Sequence, residues 1–163
     1  MAEDIKIKIK EAKRKDINSI VKLQMGLADY HKKIDTKYFK SGRERKEQLR
    51  KHFLKFLSKR RRNRKFLVAK VKNRIVGFFI GGIHKPWSYC REKKIGGIYQ
   101  AYVDRKFRRK GIGNLLFQEL LKWFQKRKIK FIEVEVDSQN KIGISAWKKY
   151  GFFEFQKKMR LDL

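Results

Sequence analysis

The sequence predicts one α/β (α+β) domain spanning residues 1–163. Apolar, β-branched runs of strand length alternate along the chain with segments whose apolar residues recur at helical spacing, the pattern of a sheet layered with helices. The length of 163 residues suits one domain, and 41% hydrophobic with 13% aromatic residues can fill one core. No internal repeat, long linker or second core interrupts the pattern.

The elements follow in order. Ile5, Ile7 and Ile9 alternate with Lys6, Lys8 and Lys10, as in a half-buried strand. Asp16 is placed to cap a helix in which Ile17, Ile20, Val21, Met25 and Ala28 form the apolar stripe, ending near Tyr30 or His31. A second helix over 43–57 carries Leu49, Phe53, Phe56 and Leu57 on one face and dense positive charge on the other. Residues 66–71 and 75–83 read as a hairpin around Lys72-Asn73-Arg74. Residues 84–94, with the sole proline Pro86, read as a loop, and 95–103 as the next strand. Arg108-Arg109-Lys110-Gly111-Ile112-Gly113 then opens a helix marked by Leu115, Leu116, Leu120, Trp123 and Phe124. A strand over 131–136, a short helix over 141–149 and a last strand over 152–161 complete the chain.

Charge sets the class of partner. Against 46 Lys and Arg stand 16 Asp and Glu, a net +30 with a pI near 10.5. Such a surface attracts phosphate-bearing molecules, so nucleic acid, a ribonucleoprotein and an anionic cofactor are all admissible. The run from Lys59 to Lys65 reads either as a nucleic-acid patch or as a solvated loop. The single cysteine, Cys90, has no internal partner, and the three histidines show no metal-ligand spacing, so no metal is expected. No membrane-length apolar run or secretory signal pattern appears, and the expected location is cytoplasmic.

A glycine turn entering a helix is a natural phosphate site, because the first helical N–H groups are unpaired and the helix dipole is positive there. Gly111 and Gly113 carry no side chain to block the approach, while Arg108, Arg109 and Lys110 add cations. The same pattern also serves as an ordinary helix entry in a chain this basic. Position is what distinguishes the two, because the turn resembles the acetyl-CoA signature of GNAT acetyltransferases, Gln/Arg-x-x-Gly-x-Gly/Ala, set between that family's central strand and long helix. A second segment, Asn140 to Phe152, is similar in spacing to the family's Asn-x-x-Ala-Ile-x-Phe-Tyr-x-x-x-Gly-Phe. Residues 7–12 with Asp16-Ile17 resemble its first strand and helix start.

The resemblance implies the GNAT fold: a mixed, mostly antiparallel twisted sheet of six to seven strands flanked by about four helices. It implies acetyl-CoA as cosubstrate, its pantetheine arm along Ala101, Tyr102 and Val103 and its pyrophosphate within Arg108, Arg109, Lys110, Gly111, Ile112, Gly113 and Asn114. Asn140 would bond the arm, with Ser145, Trp147 and Lys148 along the cofactor. Asn140 is equally suited to cap the short helix, and Trp147 to pack in the core.

Acetyl transfer to nitrogen needs a neutral amine, and a lysine amine with pKa near 10.4 is neutral only about once in 2,500 molecules at pH 7. Glu133, Glu135 and Asp137 alternate with Val134 and Val136, which puts the carboxylates on one strand face. Glu135, five residues before Asn140, resembles the catalytic glutamate of the ribosomal-protein alanine acetyltransferase branch and is the candidate general base. The alternative is a solvent-facing carboxylate paired with lysine. Where the family often has a tyrosine acid this chain has Trp147, whose indole cannot serve, leaving Tyr150 as the nearest substitute.

The expected function is transfer of an acetyl group to a primary amine, of a peptide or protein rather than a small polycation, by a monomer or homodimer. An idle acetyl-CoA sensor and a nucleic-acid-binding protein on the same scaffold are the competing readings.

Overall fold

Apolar side chains on both faces of the central strands require cover on both sides, and the chain supplies it with helices. The computed structural model describes residues 6–58 and 62–163. Strands β1 (Ile7–Glu11), β2 (Arg64–Val71), β3 (Arg74–His84), β4 (Ile95–Val103) and β5 (Ile132–Val134) form one sheet in the order β1-β2-β3-β4-β5. All neighbours are antiparallel except β4 and β5, which run parallel. The helices are α1 (Ile17–Ile34), α2 (Gly42–Ser58), α3 (Ile112–Gln125) and α4 (Lys141–Lys149). None is long and apolar enough to cross a membrane.

Phe66 and Val68 of β2, with Phe78 and Ile80 of β3, pack under α1 and α2 against Ile20, Leu49 and Phe53. Leu67 and Ala69 point the other way, with Phe79, to Leu116, Leu120 and Phe124 of α3. Two bulges interrupt this alternation. Ala69 pairs with Gly77 but Lys70 with Ile75, leaving Val76 unmatched; likewise Ile80 pairs with Gln100 but Gly81 with Ile98, leaving Tyr99 unmatched. Beyond Tyr99 the faces of β4 are exchanged: Ala101 and Val103 pack toward α3 and Tyr102 toward α1. Gln100, two residues from Tyr102, is thereby turned to the α1 side.

The α/β class and the four helices agree with the sequence, and among the described residues the sheet has five strands rather than six or seven. The strand expected over 152–161 is irregular chain, with Phe153, Phe155, Met159 and Leu161 exposed. Alternation alone makes no strand without a hydrogen-bonding neighbour. This tail is tied instead by Arg160, which donates to Asp35 at 2.9 Å and lies over the Tyr38 ring. The strand expected over 131–136 is shorter, ending at Val134, so Glu135 and Asp137 lie beyond it. Ile5 and residues 59–61 of the basic run lie outside the described residues.

Asp16 stands at the start of α1 but makes no side-chain bond to its helical N–H groups. Its carboxylate accepts from the Lys13 N–H at 2.9 Å and pairs with Lys70 Nζ of β2 at 2.8 Å, tying helix to sheet. Burial opposes its ionisation, but the bonds from Lys70 and Lys13 and the charges of Lys70 and Lys15 together hold the carboxyl below its ordinary 3.8. The stability it contributes is therefore present above that value and lost as pH falls below it. Asp16→Asn is expected to remove about 2 kcal/mol at pH 7. Urea unfolding should show the gap between wild type and variant closing below pH 4.

Candidate active site

Parallel strands that part company leave unpaired backbone along their facing edges. β4 pairs with β5 over Gly96, Gly97 and Ile98, while β5 stops at Val134 and β4 continues to Val103. Among the described residues no strand lies beside the outer edge of β4 from Tyr99 onward, which leaves its backbone amides open there. Ala101, Tyr102 and Val103 are half-buried along it.

The edge leads directly into the basic turn. Asp104 accepts from the Lys106 N–H at 3.0 Å and starts a 3-10 turn over Arg105–Phe107. Arg108 Nε donates to the Val103 carbonyl at 2.9 Å and its guanidinium lies 5.4 Å from the centre of the Tyr102 ring, so Arg108 braces the turn. Arg109 (φ 59°) and Gly111 (φ 76°) are both left-handed, alternating with their neighbours in the manner that points successive N–H groups into one concavity. Gly111 begins α3, its carbonyl accepting from Leu115 N at 3.0 Å. A Cβ on Gly111 would meet nothing within 4 Å: the space in front of it is open. Ile112 is 1% exposed and anchors the turn in the core, while Arg109, Lys110 and Asn114 are exposed.

Beside the splay is a cavity of about 270 Å³. Gln24, Ala28 and His31 border it from α1, Gln100 and Ala101 from β4, and Glu135, Asn140 and Trp147 from the chain that follows β5. Glu135 is exposed and reaches this cavity from just past the strand end. Asn140 caps α4 by accepting from Gly143 N at 2.9 Å, and the same oxygen accepts from Tyr30 Oη at 3.0 Å. Its amide NH2 lies against Gly143, where an added Cβ would come within 2.5 Å of it. Trp147 has core contacts with Phe79 and Phe152 and also borders the cavity.

Tyr150 is placed elsewhere. Its ring stacks on Phe117 at 4.5 Å and its hydroxyl lies where a Cβ on Gly113 would come within 2.9 Å. Burial raises its pKa, and it does not border the cavity with Glu135. Ser145 and Lys148 are exposed on the outer face of α4, Lys148 3.5 Å from Glu154. Gln24, His31 and Gln100 also border the cavity, and no linear motif marks them. Gln24 had a signal, since a polar residue three after Val21 and four after Ile20 interrupts the apolar stripe of α1.

Strand β4, the left-handed turn at Gly111 and helix α3 thus form a strand-turn-helix unit. The sequence profile of the Acetyltransferase (GNAT) family matches residues 28–152, and the chain belongs to that family. It is 30% identical over 124 residues to the uncharacterised N-acetyltransferase MJ1207 of Methanocaldococcus jannaschii, covering 72% of this chain and 54% of that protein. The chain thus spans about half the length of that curated relative. A tetramutant of the BH1408 protein from Bacillus halodurans shares the fold at TM-score 0.84 and 19% identity, over 96% of this chain and 99% of the other. The aminoglycoside N-acetyltransferase AAC(6')-Iy, solved in complex with CoA, does so at TM-score 0.74 and 13% identity, over 100% and 98% of the two chains.

Proposed function

We propose that this chain is an acetyl-CoA-dependent N-acetyltransferase acting on a primary amine of a peptide or protein. The observation that carries the reading is the free edge of β4 running into a turn whose Gly111 faces open space, with a carboxylate-bearing cavity beside it. The residues fit the cosubstrate: the edge suits the pantetheine amides, and the turn at α3 offers N–H groups and cations to a pyrophosphate. When bound, acetyl-CoA supplies an acyl group on a good leaving thiolate.

This chain's own groups do the rest. Glu135 takes the proton released as the amine nitrogen forms its bond to the acyl carbon, directly or through water. Its spacing before Asn140, like that in the ribosomal-protein alanine acetyltransferase branch, supports this role. Backbone N–H groups on the β4 edge stabilise the negative charge that develops on the acyl oxygen. The C–S bond then breaks, and solvent protonates the thiolate, since Tyr150 stands by Gly113 rather than in the cavity.

Acetyl-CoA at 100 times its dissociation constant should raise the melting temperature by about 5–10 °C, from about 2.7 kcal/mol of linkage. No shift at saturation would sink the reading, and a shift without product on any amine would favour an idle sensor. The net charge of +30 opposes approach of polycations. At low salt, peptide amines are therefore expected to exceed spermidine and kanamycin in kcat/KM, with the difference shrinking as salt rises. Spermidine or kanamycin turning over best would refute that preference.

A second reading, association with nucleic acid, is favoured by one observation. Trp87 and Tyr89 are exposed, their rings parallel within 1° at 6.4 Å, in a loop that also carries Lys85, Arg91, Lys93 and Lys94. Binding to single-stranded RNA that weakens steeply with salt and is lost in Trp87→Ala would support it.

A further inference from the structure

Three buried polar atoms, Gln24 Oε1, His31 Nδ1 and Gln100 Oε1, lack a hydrogen-bond partner among the described residues. All three residues border the cavity that Glu135 also borders. Gln24 is 4% exposed, and an unpaired group at such depth costs about 1–3 kcal/mol. Their convergence has a structural origin. Gln24, Ala28 and His31 fall at i, i+4 and i+7 on α1, one face of the helix. Gln100 joins them because the bulge at Tyr99 turns it to the α1 side of β4. Burial lowers the pKa of His31, with Arg45 acting in the same sense and Asp137 against it, so its ring is uncharged at neutral pH. Amide orientation is interchangeable, so each glutamine offers one carbonyl oxygen and one NH2.

The same cavity is bordered by Lys40, from the connection between α1 and α2, and by Arg45 of α2. Among the described residues neither has a carboxylate partner. Unpaired cations at a cavity wall are anion-recognition groups, Arg45 especially. Uncharged hydrogen-bonding groups and a carboxylate for an amine therefore meet cations for an acid within about 270 Å³, below the usual volume of a drug-sized pocket.

We infer that Gln24, His31 and Gln100 recognise the acceptor amine and that Lys40 and Arg45 select a carboxylate close to it. The acceptor chemistry is then a compact amine with a neighbouring acid: a free acidic α-amino acid, or a peptide beginning with acidic residues. This rests on the acetyltransferase reading and names the substrate class of the same cavity.

The test uses L-glutamate, the peptide amides Glu-Glu-Ala, Ala-Ala-Ala and Lys-Lys-Ala, and calorimetry of each with the CoA-loaded protein alongside kinetics. Wild type is expected to prefer the acidic amines by at least about 10-fold in kcat/KM and in binding, roughly one charge-assisted hydrogen bond. L-Glutamate against Glu-Glu-Ala distinguishes the two sources. Gln24→Leu and Gln100→Leu should each raise acceptor KM by about 10-fold while leaving the acetyl-CoA thermal shift intact. Their unliganded melting temperatures should equal or exceed wild type, which a merely structural role would not produce. Arg45→Gln, with Lys40 still in place, should lower the ratio of kcat/KM on Glu-Glu-Ala to that on Lys-Lys-Ala by about 10-fold. Equal kinetics on all three peptides, or leucine variants with unchanged KM or lowered melting temperature, would overturn the inference. Absence of any acetyl-CoA shift in wild type would overturn it together with the acetyltransferase reading, whereas a normal shift with charge-blind kinetics overturns it alone.

Discussion

Glu135→Gln is expected to lower turnover by about 100-fold or more at neutral pH while leaving acetyl-CoA binding unchanged. The substitution keeps the size of a side chain that borders the cavity and removes its ability to hold a proton. The magnitude follows from what a positioned base contributes, about 10²–10⁴-fold, against an acceptor amine that is overwhelmingly protonated in water at that pH. Raising the pH supplies the neutral amine without enzymic help, so the variant should recover toward wild type as pH approaches 9. Measurement of kcat from pH 6 to 9 for both proteins checks this. Parallel profiles of equal height would move the role to another group. His31 is then the nearest candidate, since its uncharged ring borders the same cavity. Glu92 is engaged by Lys130 at 2.8 Å, and burial raises the pKa of the Tyr102 hydroxyl, so neither is as well placed.

The order of strands and helices was legible because each segment states its own periodicity. The hairpin about Lys72, the helix after Gly111 and the cap at Asn140 all depend on residues within a few positions of one another. What escaped the sequence depends on distant partners. The run over 152–161 alternates well enough for a strand, but its pairing would need a β5 longer than three residues. Asp16 has a capping residue's position, yet its carboxylate is occupied by Lys70, which lies 54 residues away. Bulges are equally silent. An unbroken period of two through Val76 and Tyr99 gives no hint that both are unmatched, and the second of these decides which face Gln100 occupies.

The site divides in the same way. Arg108 to Gly113 and Asn140 were readable as a linear motif, and the structure sets the turn at the open edge of β4 with Asn140 bordering the neighbouring cavity. Gln24, His31 and Gln100 come from two elements about 70 residues apart, and they assemble only through the packing of α1 on the sheet. Tyr150 is the opposite case. Proximity in sequence to Trp147 made it a substitute acid, whereas the end of α4 turns its ring onto Phe117 and its hydroxyl toward Gly113.

Gly111→Val is the second substitution with a large expected effect, and it acts through space and backbone together. At φ 76° a residue with a Cβ is strained, most of all a β-branched one, at about 1–3 kcal/mol. That strain alone should lower the unliganded melting temperature by several degrees without unfolding the protein at 25 °C. The larger consequence concerns the ligand. The Cβ of the variant enters a space that holds no protein atom within 4 Å, at the residue that caps the start of α3. A pyrophosphate in that concavity would be displaced from the N–H donors of the turn and from the flanking cations, and losing even two charge-assisted bonds at about 1.5 kcal/mol or more each is over 100-fold in affinity. Calorimetry with acetyl-CoA should therefore find binding reduced by at least about 100-fold. Arg109→Ala, which leaves the concavity open and removes one exposed cation, should lose far less. If Gly111→Val instead binds acetyl-CoA as wild type does, the left-handed turn is only the means by which the chain enters α3, and the phosphates lie elsewhere on the basic surface.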